Sequence, residues 1–225
     1  MMRLLCVLML LVTVAGLAGC EALGLAADTI APPKTKAIYN LQDRLTLVLV
    51  DDPNNQLGND ALTDQIAAMI EFELKQNEVV SRFVPLRDLH ALEHQRGKSF
   101  VMMPLQDVGR ALNAEQVLHV HIEQVDVDSG PGLLQPEAFV RLKVLDVATG
   151  RRLFPSDTHA ASGASAGYEL HIRMRQRIRP VENAGDRIVL FSRFADHIGR
   201  DIARVFYDHL QNQPGQLGKE LREAR

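Results

Sequence analysis

The chain reads as an α/β (α+β) protein, a two-layer sandwich whose mixed sheet is antiparallel in its C-terminal half and whose helices lie mainly on one face. Three features predict this. Leu45 to Val50 is a nearly continuous apolar, β-prone run, the pattern of a strand covered on both faces. Leu62, Ile66, Met69, Ile70 and Leu74 then recur at helical spacing. From Gln116 onward the apolar residues alternate instead, with turn residues between the runs.

The first strand stops at Asp51-Asp52-Pro53, and Asn54 to Asn59 is turn-rich. A helix follows from about Asp60, with Asn59 or Asp60 placed to accept from its free N–H groups. Val79 to Val84 predicts a second strand, ended by Pro85, so that strand, helix and strand make one right-handed parallel crossover. Leu86 to His94 is a short helix and Gln95 to Met103 a loop. Pro104 to Leu112 is another short helix, with proline tolerated in its first turn. Asn113 suits the left-handed position after a helix. Gln116 to Val127 and Ala138 to Val147 form an antiparallel hairpin across Ser129-Gly130-Pro131-Gly132. Arg152 to Phe154 is a short strand, Pro155 to Gly167 a small-residue polar loop, and Tyr168 to Ile178 the last strand. The C-terminal helix runs from Asp186 to about Leu210. It buries Phe191, Phe194, Ala195, Ile198, Ile202, Val205 and Phe206 and pairs Asp196 with Arg200 on its wet side.

The N-terminus carries a separate message. Arg3 supplies a small basic region and Leu4 to Ala15 a short apolar one, too short for an ordinary spanning helix. Leu17-Ala18-Gly19-Cys20 then places small residues before a cysteine whose thiol can be acylated. This run resembles the lipobox of bacterial lipoproteins. The resemblance implies cleavage before Cys20, a diacylglycerol thioether on its sulfur and an acylated (palmitate-class) new N-terminus. The expected organisation is a signal peptide over 1–19, a lipidated N-terminus and flexible tether over 20–43, a single α/β domain over 44–212 and a disordered tail over 213–225. Pro32-Pro33 and Lys34-Thr35-Lys36 favour an extended tether. Glu21 after Cys20 leaves the choice of membrane open, with the outer membrane the expectation.

Composition narrows the function classes. Cys6 and Cys20 are the two cysteines, and with the first removed and the second acylated the mature domain folds without a disulfide. The net charge of −3 does not indicate bulk attraction to nucleic acid. Tryptophan is absent and aromatics make up 5%, which argues against stacking platforms for sugars or bases. There is no Walker loop, no dinucleotide fingerprint and no nucleophile elbow. No cofactor is implied.

A longer resemblance rests on Asp107-Val108-Gly109-Arg110-Ala111-Leu112-Asn113-Ala114-Glu115-Gln116-Val117-Leu118 before one strand and Asp146-Val147-Ala148-Thr149-Gly150 after another. With the lipobox and the order of elements, it resembles the envelope domain shared by the N-terminal part of TolB, the curli-secretion lipoprotein CsgG and the lipoprotein activators of peptidoglycan synthases. It is also similar to planctomycete-type lipoproteins. The resemblance spans roughly 44–210 and implies a fold and a compartment. Its members have diverse partners and no shared catalytic residues, so it implies no reaction.

Three side-chain groups carry possible chemistry. His90-Ala91-Leu92-Glu93-His94 matches the H-x-x-E-H pattern of zinc peptidases. Its helix is short, breaks at Gly97 and turns Leu86, Leu89 and Leu92 inward, so the histidines read as surface residues and a metal-dependent hydrolase is the alternative reading. His119 and His121 alternate onto one strand face with Glu123 beyond them, a spacing that permits a two-histidine, one-carboxylate metal site. A solvated sheet face is the preferred reading of them, and neither metal nor catalytic residues are assigned. His171, Arg173, Arg175, Arg177 and Arg179 share one face of the last strand, and Arg141 with Lys143 repeats this on the preceding long strand. Arg141, Lys143, Arg173, Arg175 and Arg177 are therefore the candidate partner-binding residues, for an envelope protein or an anionic envelope polymer.

The expected function is a non-enzymatic, lipid-anchored cell-envelope module facing the periplasm, for protein interaction or assembly. Homo-oligomerisation is possible, and the membrane is contacted through the lipid. The lipobox makes a direct prediction. Cys20→Ser abolishes incorporation of labelled palmitate and moves the protein out of the membrane fraction; a native product carrying an intact leader and no lipid contradicts it.

Overall fold

The computed structural model of the protein describes residues 34–127, 135–156, 167–174 and 184–210. The predicted signal peptide, Cys20, most of the tether, the hairpin turn, Arg175, Arg177, Arg179 and the tail lie outside the described residues. In chain order the strands and α-helices are β1 (Lys34–Thr35), β2 (Thr46–Asp51), α1 (Asp60–Gln76), α2 (Leu86–Arg96), α3 (Leu105–Ala111), β3 (Gln116–Asp126), β4 (Glu137–Asp146), β5 (Arg152–Phe154), β6 (Tyr168–Arg173), α4 (Ala184–Ala203) and β7 (His209–Leu210). Short 3₁₀ helices cover Gly97–Met102 and Arg204–Phe206. Residues 37–207 form one compact unit. In the other, β1 pairs antiparallel with β7.

The main sheet is mixed. β2 runs parallel to β3, β3 antiparallel to β4, and β5 and β6 both run antiparallel to β4. The last two share one edge of β4, with β6 against Glu137 to Leu142 and β5 against Val144 and Leu145. Alternation along the strands separates two apolar clusters. On one face Val48, Leu118, Val120, Ile122, Val140, Leu142 and Ile172 meet Ile66, Ile70 and Leu74 of α1 and Phe194, Ile198 and Ile202 of α4. On the other face Leu47, Leu49 and Val117 meet Leu89 and Leu92 of α2 and Val108 of α3. The α+β architecture with a mixed sheet follows the sequence expectation, with the larger helices on one face.

Several elements form as their residues dictate. Asn59 caps α1, its side-chain oxygen accepting from Ala61 N at 3.0 Å. Asn113 takes a φ of 55° after α3. Ile172 and Met174 point into the core at 1% and 7% exposure, opposite His171 and Arg173.

Four expectations change. Val79 to Val84 is not a strand, because the N–H groups of Val79 and Val80 are taken by Leu74 O at the end of α1. Only an isolated bridge, Thr46 with Phe83, remains, and the parallel partner of β2 is β3. Residues 37–43, assigned above to the tether, are packed: Leu41 is 7% exposed and Tyr39 stacks on Phe154 with ring centroids 5.0 Å apart. The described part of the last strand ends at Arg173. α4 ends at Ala203, and Asp196 and Arg200 do not pair with each other. Asp196 accepts from Gln65 Nε2 at 2.6 Å and Arg200 Nε donates to Glu73 Oε1 at 3.0 Å, both across to α1.

That helix pair is close enough to need a glycine. A Cβ on Gly199 would stand 2.7 Å from Met69 Cβ and 2.9 Å from the Ile66 carbonyl oxygen. Gly199→Ala should therefore destabilise by about 1–2 kcal/mol in urea unfolding, the overpacking cost exceeding the helix-propensity gain. A stabilised variant would show that α1 and α4 sit further apart.

Glu71 on α1 gives a pH test. Burial pushes its carboxyl up to about 7, against the opposing charge of Lys75. The folded state therefore holds this proton more tightly than the unfolded chain. Stability from this group is full below the unfolded value of 4.5 and falls as pH rises toward about 7. Glu71→Gln should stabilise by about 1–2 kcal/mol at pH 8, discounted for the part of the carboxyl that stays in water, and by almost nothing at pH 4. Equal effects at both pH values would remove the assignment.

Candidate functional site

α2 and α3 cover the sheet only as far as Leu47, Leu49 and Val117. Beyond them the same face turns polar. Strand alternation puts His119 and His121 of β3, Arg141 and Lys143 of β4, and His171 and Arg173 of β6 on this face, with Asp51 at the end of β2. The strands hold them in register: Asp51 lies opposite His121, His121 opposite Arg141, and His119 opposite Lys143.

The described part of the predicted basic stripe is interleaved with carboxylates. Arg141 reaches Glu123 at 2.7 Å and Glu169 at 3.2 Å. Arg173 and His171 both meet Glu137 Oε2, each at 3.0 Å, and His171 stacks on Phe139 with centroids 4.1 Å apart. His171 first, then Arg173, hold the Glu137 carboxyl below its ordinary value, against desolvation. Lys143 differs: among the described residues it has no carboxylate in ion-pair contact. Burial, then the charges of Arg141 and Arg152, lower its ammonium from the ordinary value. Such alternation offsets the repulsion that like charges on neighbouring strands would impose.

The histidines of β3 find a different carboxylate from the one their spacing suggests. A bulge at Glu123 interrupts the β3–β4 ladder, and Glu123 turns to Arg141. Asp51 takes its place. Its Oδ2 lies 3.1 Å from His121 Nδ1 and 3.8 Å from His119 Nε2. The three side chains bring their donor atoms within 4.8 Å of one another, the one such histidine–carboxylate trio among the described residues. The His119 ring lowers the Asp51 carboxyl most, burial opposes it, and His121 lowers it further. His119 is 12% exposed, and its Nδ1 is buried without a hydrogen-bond partner. Reasoning from the sequence found both histidines and did not connect them to Asp51, whose tie to them runs through a parallel pairing 70 residues apart.

The H-x-x-E-H motif lies elsewhere. His90 and Glu93 line a cavity of about 250 Å³ with Asp51, Asp52, Asp60 and Asp64, between β2 and the helices α1 and α2. His90 Nε2 bonds Asp64 Oδ1 at 3.0 Å. Burial, outweighing the His90 charge, holds the Glu93 carboxyl above its usual value, with Asp64 and Asp60 adding to the rise. His94 is exposed and does not line the cavity, so the motif's two histidines do not converge there. Asp52 closes the turn after β2, accepting from Gln56 N and Leu57 N at 2.9 Å each.

No family model matches the chain, and no curated protein matches it. Solved structures do resemble it. Lipoprotein GNA1162 from Neisseria meningitidis is similar over 71% of this chain and 98% of that one, at 12% identity and a TM-score of 0.42. Protein XCC0632 from Xanthomonas campestris is similar over 87% of this chain and 95% of that one, at 7% identity and a TM-score of 0.45. The PelC L103M dodecamer from Paraburkholderia phytofirmans is similar over 79% of this chain and 98% of that chain, at 12% identity and a TM-score of 0.40. Bacterial lipoproteins are thus among its structural neighbours.

Proposed function

We propose that this chain is a non-enzymatic lipoprotein of the cell envelope, anchored by acyl chains on Cys20, whose α/β domain docks an anionic envelope partner on the polar half of its sheet. The lipobox supports the anchor. Among the described residues no helix is long and apolar enough to cross a membrane, so attachment of this domain falls to the N-terminal lipid. Tethering raises the local concentration of the domain near membrane-bound partners without requiring a strong contact.

The observation that carries the docking reading is the charged sheet face, with Arg141 and Arg173 held by carboxylates and Lys143, among the described residues, without one. Side chains on paired strands present their charges in a fixed pattern, which favours specificity over bulk attraction. Arg175 and Arg177 extend the same alternation in sequence. The mature module spans the tether and the domain and has the periplasm as its compartment, at the outer membrane.

The test is in-cell photo-crosslinking from position 169, on the rim of the face. The native chain should capture a discrete envelope partner. Lys143→Glu with Arg173→Glu should cut that capture at least about tenfold, as should Arg175→Glu with Arg177→Glu, with unfolding midpoints showing the fold intact. An unchanged partner set in both double variants removes the docking reading. Recovery of a second copy of this chain would make the face a self-assembly surface instead.

A further inference from the structure

We infer that Asp51, His119 and His121 form a binding site for a divalent transition ion of the zinc class, with His119 Nε2, His121 Nδ1 and an Asp51 carboxylate oxygen as ligands. It stands on residues other than those of the docking surface.

The geometry suits such an ion closely. Zinc binds imidazole nitrogen at about 2.0–2.1 Å and carboxylate oxygen at about 2.0–2.2 Å, so donors at tetrahedral angles around it lie roughly 3.3 Å apart. Asp51 Oδ2 stands 3.1 Å from one nitrogen and 3.8 Å from the other, bracketing that spacing. The histidine donors belong to the same trio within 4.8 Å, so convergence on the ion is a matter of side-chain rotation. The backbone needs no change. β3 is paired on both edges at these residues, and β2 holds Asp51 opposite His121 through its own ladder to β3.

The donor chemistry selects the ion. Calcium and magnesium demand many oxygen ligands, and this trio offers one carboxylate and two imidazoles. Nitrogen-rich sets favour zinc and its neighbours among the first-row metals. Lys143 lies opposite His119 and Arg141 opposite His121, although Glu123 and Glu169 hold Arg141.

His119 enters this site at a cost: with Nε2 toward the ion, its Nδ1 keeps the proton, a donor without an acceptor among the described residues. A ring 12% exposed, with Nδ1 buried and without a partner, bears a desolvation cost that the protein does not offset at that nitrogen. Its other nitrogen faces Asp51. An ion there gives the ring a strong interaction in the direction it already points. Three protein ligands leave a fourth position for water or for a donor from a second molecule.

The test uses the full chain, extracted in detergent and without a polyhistidine tag, stripped of metal and dialysed against Zn²⁺ alone. One ion per chain is expected. His119→Gln, His121→Gln and Asp51→Asn should each weaken binding about 10- to 100-fold, and His90→Ala with His94→Ala should leave it within about threefold of native. Binding that is unchanged in the His119 and His121 variants, or lost in the His90/His94 variant alone, overturns the site. Should a variant fail to fold, nitrogen NMR of the native chain decides. One equivalent of Zn²⁺ must move the His119 and His121 ring resonances, and movement confined to other histidines, or none, sinks the assignment. Stoichiometric binding says nothing about Lys143 or Arg173 docking, so the two readings fail separately.

Discussion

The register of β2 on β3 governs the molecule, and a small buried polar network sets it. Thr46 lies opposite Gln116, and both are fully buried. Gln116 Nε2 donates to Thr46 Oγ1 at 2.8 Å and to Gln42 O at 2.7 Å, while Thr46 Oγ1 donates to Arg44 O at 2.9 Å. Breaking such a network leaves buried polar groups unpaired at about 1–3 kcal/mol each, so only one pairing of the strands is inexpensive. A slip of one residue would exchange the two faces of β2. Leu47 and Leu49 would leave α2 and α3, Val48 would leave α1 and α4, and Asp51 would part from His121.

A second consequence follows from how far the short helices reach. The beginning of β3 is packed on both faces, with Val117 under α3 and Leu118 under α1 and α4. From His119 onward one face has no apolar helix packed on it among the described residues, and its side chains satisfy one another. Ion pairs on exposed sheet faces contribute little to stability singly. Here they do something else, since they fix cations such as Arg141 and Arg173 against carboxylates of neighbouring strands, as Glu123 and Glu169 fix Arg141. The face is therefore patterned rather than simply positive, and its chemistry lies in where charges are unmatched, at Lys143, and where lone pairs converge, at Asp51, His119 and His121.

Local signals in the sequence carried most of the fold. Period-two alternation marked β3 and β4, helical spacing marked α1 and α4, and the cap at Asn59 and the left-handed Asn113 followed from side-chain chemistry alone. What escaped was set by competition for the same atoms. Val79 and Val80 have every mark of a strand, yet their N–H groups serve the end of α1. Arg200 has an acid four residues before it on its own helix and instead donates to Glu73 of α1, because helices this close bring a buried carboxylate within reach. The site escaped for a related reason. Glu123 continues the histidine alternation, but the bulge hands it to Arg141, and the carboxylate that meets the histidines comes from a strand whose register no local pattern reveals.

An ion at the histidine–aspartate trio and an anion docked at Lys143 would be electrostatically linked. Lys143 stands opposite His119, so an ion at the trio and an anion at Lys143 would be separated by little more than the spacing of two strands. A dication there adds positive charge beside Lys143, and so favours an anionic partner. An anion docked at Lys143 in turn offsets the charge that opposes the ion. Linkage requires the two effects to be equal in free energy, whichever ligand arrives first. The link needs no conformational change, because β3 and β4 already hold the groups at fixed spacing. It follows from placing a half-buried lysine and two imidazoles on adjacent strands where the apolar cover ends.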